Sequence, residues 1–149
     1  MQHPEVYVYR RNLPHWRLAG ATYFVTWRLG SGQVELSAEE RSLIADCLRH
    51  FDRKRYDLLA YVVMNDHVHA LVTPMGTWKL EQLVHGWKSF STHQLQHAHG
   101  RIGHVWQGEY FDRVVRDQAE LLEKAMYIVH NPWKRWPELL GYPWLGVRE

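Results

Sequence analysis

Cysteine is nearly absent: Cys47 is the only one in 149 residues. That excludes an internal disulfide and any four-cysteine zinc site, and it fits a reducing compartment. No apolar run approaches the roughly 18 residues that a membrane-spanning helix needs. The opening residues Met1-Gln2-His3-Pro4-Glu5 are polar, so no leader peptide or membrane partner is expected. Charge of one sign is scarce as well, with 18 Lys and Arg against 16 Asp and Glu. Such a balance permits nucleic-acid binding without demanding it. Internal repeats, low-complexity tracts and linker-like stretches are missing, so one domain over 1–149 is expected, with an N-terminal arm over about 1–20 and a wrapping tail over about 133–149. What the chain has in plenty is rings: eight Trp, eight Tyr and eleven His. Flat side chains of this kind fill cores, and they also stack on unpaired bases.

The elements follow from periodicity and punctuation. Val6 to Trp16, with Arg10 and Arg11 adjacent, reads as an extended arm or short edge strand, and the two arginines are candidate phosphate contacts. Ala21 to Leu29 is β-branched and aromatic between Gly20 and Gly30, which predicts a strand. Ser37 with Glu40 three residues later is a capping box, opening a helix through Leu43, Ile44, Cys47, Leu48 and Phe51. Tyr56 to Met64 is a second strand, and Asn65-Asp66 turns it into a third that carries His67-Val68-His69-Ala70-Leu71-Val72. A second helix is expected from Trp78 to about His97, with Leu80, Leu83, Val84, Trp87, Phe90 and Leu95 on its apolar side. A fourth strand falls in the second half of His104 to Arg116. A third helix starts at Asp117, runs through Leu121, Leu122, Ala125, Met126 and Val129, and is expected to end at Pro132. Strand, helix, strand, strand, helix, strand is the order of a ferredoxin-like α+β fold with an antiparallel four-stranded sheet, here with an added C-terminal helix.

Chemistry concentrates in two places. Side chains alternate along a strand, so His67 and His69 share one face while Val68, Ala70 and Val72 point to the other. Tyr127 and Asn131 are four apart on the last helix and share a face of it. If that helix packs on the histidine face, two imidazoles and an amide oxygen converge beside a phenol. Two nitrogens and a neutral oxygen with open positions suit Mg²⁺ or Mn²⁺ held together with a phosphate; an open-position zinc site is also compatible. Tyr127 is then a natural nucleophile, since a nearby cation favours the ionised phenol. Lys88, Arg113, Arg116, Lys134 and Arg135 join Arg10 and Arg11 as candidate DNA contacts.

Six ordered stretches carry a resemblance: Arg11-Asn12-Leu13-Pro14-His15-Trp16, Tyr23 to Leu29, Val63 to His69, Trp87-Lys88-Ser89, Trp106 to Asp112, and Tyr127-Ile128-Val129-His130-Asn131-Pro132. Over about residues 10 to 132 the chain resembles the REP-associated tyrosine transposases, relatives of the single-tyrosine transposases of bacterial insertion sequences. The resemblance implies a bacterial, cytoplasmic, nucleoid-associated enzyme that cuts and joins single-stranded hairpin DNA of REP-like palindromes through a 5′-phosphotyrosine, using Mg²⁺ or Mn²⁺, as a monomer or homodimer. It places His67 and His69 as metal ligands, Tyr127 as nucleophile and Asn131 where relatives carry a polar third ligand. Two departures stand out. Asn65-Asp66 replaces the Pro-Asn that relatives often carry before the first histidine, and Trp133-Lys134-Arg135-Trp136 replaces their usual Val-Lys/Arg-Ala-Gly-Leu-like segment.

Two other readings compete. One is a non-catalytic module that stacks single-stranded nucleic acid on its sheet. The other is a metallohydrolase with water as nucleophile and a structural Tyr127.

Overall fold

The computed structural model describes residues 7–9 and 20–148, so Arg10, Arg11 and the stretch from Arg11 to Trp16 lie outside the described residues. Among the described residues nine elements follow one another: β1 (Tyr7–Tyr9), β2 (Thr22–Arg28), α1 (Ala38–His50), β3 (Tyr56–Val63), β4 (His67–Pro74), α2 (Leu80–His99), β5 (Phe111–Val115), α3 (Gln118–Arg135) and β6 (Leu145–Arg148). The expected ferredoxin-like order is formed by β2, α1, β3, β4, α2 and β5, and the sheet runs β1-β6-β3-β4-β2-β5. It is two strands wider than four. The tail adds β6 antiparallel to β3, and β1 pairs parallel with β6.

Both faces of the sheet are covered, which is why β3 and β4 are apolar on both sides. Val25, Trp27, Val63, Val68, Ala70 and Val72 pack under α1 and α2 with Ile44, Leu48, Leu83 and Trp87. Phe24, Ala60, Val62 and Leu71 pack under α3 with Leu121, Ala125 and Ile128. The predicted capping box of α1 is present, with Glu40 N–H donating to Ser37 Oγ at 3.2 Å and Ser37 N–H donating to Glu40 Oε1 at 2.9 Å.

Three local expectations are corrected. Pro132 does not end α3; the helix continues to Arg135. The proline sits in the last turn, where its missing N–H forfeits a single bond to the carbonyl of Ile128 and the remaining turn is held by Trp136 N–H donating to Pro132 O at 2.7 Å. Helix α2 starts and ends two residues later than expected and is closed by Gly100 in the left-handed conformation (φ 69°). Phe90, assigned to its apolar side, is 54% exposed.

The loop after α2 is a bracket for the end of β2. Gly30 allows it, because a Cβ there would lie 2.1 Å from the His104 carbonyl oxygen. Gly30 N–H donates to Val105 O at 2.7 Å, Gln107 N–H donates to Arg28 O at 2.9 Å, and Trp106 Nε1–H donates to Ser91 Oγ at 2.9 Å.

Candidate functional site

Strand β4 lies between β3 and β2, with His69 opposite Val62 on one side and Thr26 on the other. His67 pairs with Arg28 at the end of β2. Cross-strand partners share a face, so Thr26, Arg28, His67 and His69 all look toward α3. Helix α3 presents Tyr127 to the same place. Its ring centroid is 5.4 Å from that of His69 and 5.8 Å from that of Phe24, while Phe24 stacks on His69 at 5.3 Å. The two imidazoles stand nearly perpendicular, 4.7 Å apart. The period of two on the strand and of 3.6 on the helix thus bring His67, His69 and Tyr127 together.

Each histidine is anchored through Nδ1. His67 donates from Nδ1 to Asp66 Oδ1 at 2.6 Å. His69 Nδ1 lies 2.7 Å from Thr26 Oγ1. Where Nδ1 donates, Nε2 carries the lone pair, which is how a second set of partners orients ligating histidines. His69 is 3% exposed, and its Nε2 has no hydrogen-bond partner among the described residues. A buried polar atom left without a partner is costly, and a metal ion would satisfy it. Burial, followed by the neighbouring charges of His67 and Arg28, pushes the His69 pKa down to about 3, so the ring is neutral and able to coordinate. Asn131 is 9% exposed, one helical turn beyond Tyr127. No cluster of three or more His, Cys, Asp or Glu that could hold a metal ion forms among the described residues. The donor set fits a divalent cation with open positions.

Tyr127 is 46% exposed, so its hydroxyl can meet a macromolecular substrate. It opens on a cleft of about 710 Å³ whose walls include Phe24, Arg28, His69, Glu109, Lys124 and Tyr127. Arg28, Lys124 and Glu109 were not singled out together by the sequence. Arg28 sits in an aromatic strand motif and Lys124 in an ordinary helical stretch. Only the β2/β4 register and the packing of α3 reveal them as neighbours.

The other candidates are scattered. Lys88 Nζ donates to the carbonyls of Gln107 and Gly108 at 2.7 and 3.3 Å, bracing the Trp106 loop, and partial burial lowers its pKa. Arg113 is paired with Glu120 at 2.7 Å, and Arg116 approaches the same carboxylate at 3.9 Å. Lys134 and Arg135 are exposed at the end of α3, with Arg135 5.3 Å from the Trp136 ring centroid. His130 is exposed on α3 and His104 is exposed in the loop against Gly30.

The site thus sets a His-Val-His pair on a central strand of a ferredoxin-like sheet beneath a tyrosine on the helix above it. The model of the family "Transposase IS200 like" matches residues 34–131, and the chain belongs to that family. It is therefore a DNA-processing transposase-type protein. Among solved structures, the chain is similar to a REP-associated tyrosine transposase bound to a REP hairpin, with 23% identity, a TM-score of 0.64, and coverage of 84% of this chain and 74% of that one. It is also similar to a candidate transposase from Deinococcus radiodurans R1, with 21% identity, a TM-score of 0.55, and coverage of 75% and 92%. No curated protein sequence matches it. No helix among the described residues is long and apolar enough to cross a membrane.

Proposed function

We propose that the protein is a metal-dependent endonuclease and strand transferase for single-stranded DNA, with Tyr127 as nucleophile and hairpin-forming REP-like repeats as substrate. The orphaned, buried Nε2 of His69 within a ring contact of an exposed tyrosine is the observation that carries the reading. His67 and His69 through Nε2, with Asn131, would hold Mg²⁺ or Mn²⁺. When bound, the cation supplies Lewis-acid polarisation of the phosphodiester and favours the phenolate. Mn²⁺ suits the imidazoles better than Mg²⁺ does. Tyr127 Oη attacks phosphorus, the Oη–P bond forms and the P–O3′ bond breaks. The phenol loses its proton to solvent and the departing 3′ oxygen gains one. The 5′ phosphate stays on the tyrosine, so the bond energy is kept for joining to another 3′-hydroxyl.

Hairpin DNA as partner is supported by the likeness to the hairpin-bound structure. The test is a denaturing gel with 3′-labelled single-stranded DNA carrying hairpin repeats from the gene's neighbourhood, with Mn²⁺, for wild type and Tyr127→Phe. The expected result is label shifted to protein mass in the wild type and lost in the variant. Cleavage that survives Tyr127→Phe without an adduct would replace this reading by hydrolysis through water. Binding without cleavage across several repeats and both metals would replace it by the binding-module reading.

A further inference from the structure

Resting on the strand-cleavage reading above, we propose that Arg28 and Lys124, one from each wall of the cleft beside Tyr127, clamp the non-bridging oxygens of the scissile phosphodiester. Arg28 ends β2 directly across from His67, on the face that carries His69 and Thr26. Cross-strand partners hold their Cβ atoms about 5 Å apart, so the guanidinium starts within reach of anything the two imidazoles hold. Its backbone is fixed on either side: Gln107 N–H donates to Arg28 O at 2.9 Å, and Leu29 N–H donates to Asp66 O at 2.8 Å. Its side chain, by contrast, is exposed and makes no hydrogen bond or ion pair among the described residues. A cation with a pinned stem and an unclaimed head, lining a cleft with a candidate nucleophile, is arranged to receive an anion.

Lys124 comes from the opposite wall, one helical turn before Tyr127. Its Nζ is 5.3 Å from the centroid of Phe24, the ring that also touches Tyr127 and His69. Its ion pair with Glu123 is long, 3.7 Å, and the Glu123 side chain is 72% exposed. Such a surface pair is weak, and a phosphate can displace it. Among the residues named for the cleft, Glu109 is the single carboxylate, so cations outnumber it two to one. A planar guanidinium fork and a movable ammonium on opposite sides of one phosphate would stabilise the charge that grows on its equatorial oxygens as the Tyr127 Oη–P bond forms and P–O3′ breaks. Neither residue gives or takes a proton in that step.

The test compares wild type, Arg28→Met, Arg28→Lys and Lys124→Met with Mn²⁺ in single-turnover adduct formation. Two substrates are used: the hairpin DNA and the same strand with a neutral methylphosphonate at the cleavage position mapped with wild type. The expected result is a loss of about 100-fold or more for Arg28→Met on the phosphodiester, the range seen on removing one transition-state donor. A much smaller loss is expected on the methylphosphonate, with Arg28→Lys in between and Lys124→Met following the same pattern. A second readout needs no metal and no cleavage: the dependence of hairpin-DNA binding on salt, by fluorescence anisotropy, should flatten by about 0.7 in log–log slope for each Met variant. Wild-type rates in both Met variants overturn the clamp. So does an equal loss on both substrates, which would mark these residues as supports of the site and not phosphate ligands. If wild type forms no adduct, the strand-cleavage reading itself falls, and an unchanged salt slope then overturns the clamp as well.

Discussion

His69 is buried in its neutral form, and burial with its charged neighbours holds its pKa at about 3 against an ordinary 6.5. Its contribution to stability is present in full above about pH 6.5, because neither folded nor unfolded chain is then protonated there. As pH falls from 6.5 toward 3 only the unfolded chain takes the proton, so stability falls by up to about 1.4 kcal/mol per pH unit. Urea unfolding of wild type and His69→Leu at pH 7, 6 and 5 should show this slope in the difference between them, with wild type losing more on acidification. Asp66 acts on the other imidazole from an exposed position, its side chain 56% accessible and 2.6 Å from His67 Nδ1. Replacing it with Asn keeps the size and removes the charge that holds the ring. Metal affinity, read by Mn²⁺ titration calorimetry, should fall by about 10- to 100-fold with an unchanged melting temperature. The His pair and Tyr127 were legible in the sequence because each depends only on the period of its own element. Asp66 and Arg28 were not assigned these places by the sequence, because a turn conformation and a cross-strand register decide what they face. Neither is written in local spacing.

At the scale of elements, the start of α1 depends on a residue 61 positions beyond Glu40. Arg101, in a Gly-flanked loop that reads as polar connection, is 8% exposed and donates from Nε and Nη2 to both carboxylate oxygens of Glu40 at 2.6 and 2.8 Å. It also donates to the carbonyls of Val34 and Glu35 at 2.9 and 3.1 Å. Its guanidinium hydrogen-bonds hold the Glu40 carboxyl down at about 2. Arg101→Met leaves that carboxylate buried and unpaired, and should cost about 3–5 kcal/mol in urea unfolding at pH 7. The Glu40 contribution is full above about pH 4.5 and is lost as pH falls toward 2, so the gap between the two proteins should narrow in acid. Sequence reading recovered α1 from its capping box but gave Glu40 only that one role, since a loop arginine carries no signal of its partner. Strand β6 was hidden for a different reason: Leu145-Gly146-Val147-Arg148 is short and contains a glycine, a poor strand pattern. The glycine is required because a Cβ at residue 146 would lie 2.4 Å from the Tyr61 ring.

For the whole molecule, a net charge of +2 supplies little overall attraction for DNA. Affinity should rest on a few placed cations. Lys134→Ala and Arg135→Ala, both exposed at the end of α3, should each flatten the salt dependence of single-strand binding by about 0.7 in log–log slope if they contact phosphate, measured by anisotropy from low to moderate salt. The layered architecture was legible because the alternation of strands and helices dictates it. The separation of the site between layers, with the histidine pair on the sheet and the tyrosine on α3, was legible only as a condition on where that helix packs.

The tail has a consequence for how the protein behaves in solution. Tyr142 Oη–H donates to Val63 O at 2.7 Å, Val63 N–H donates to Trp144 O at 2.9 Å, and β6 pairs along Ala60 to Val62. These contacts cover the outer edge of β3, which is apolar along most of its length. A chain stopped after Pro143 would present that edge as a row of unpaired backbone groups flanked by Val and Leu, a template for pairing with other chains. Size-exclusion chromatography and light scattering should find the shortened protein aggregated while all of β4 and α3 remain in its sequence. Strand β6 thus acts as a guard against self-association.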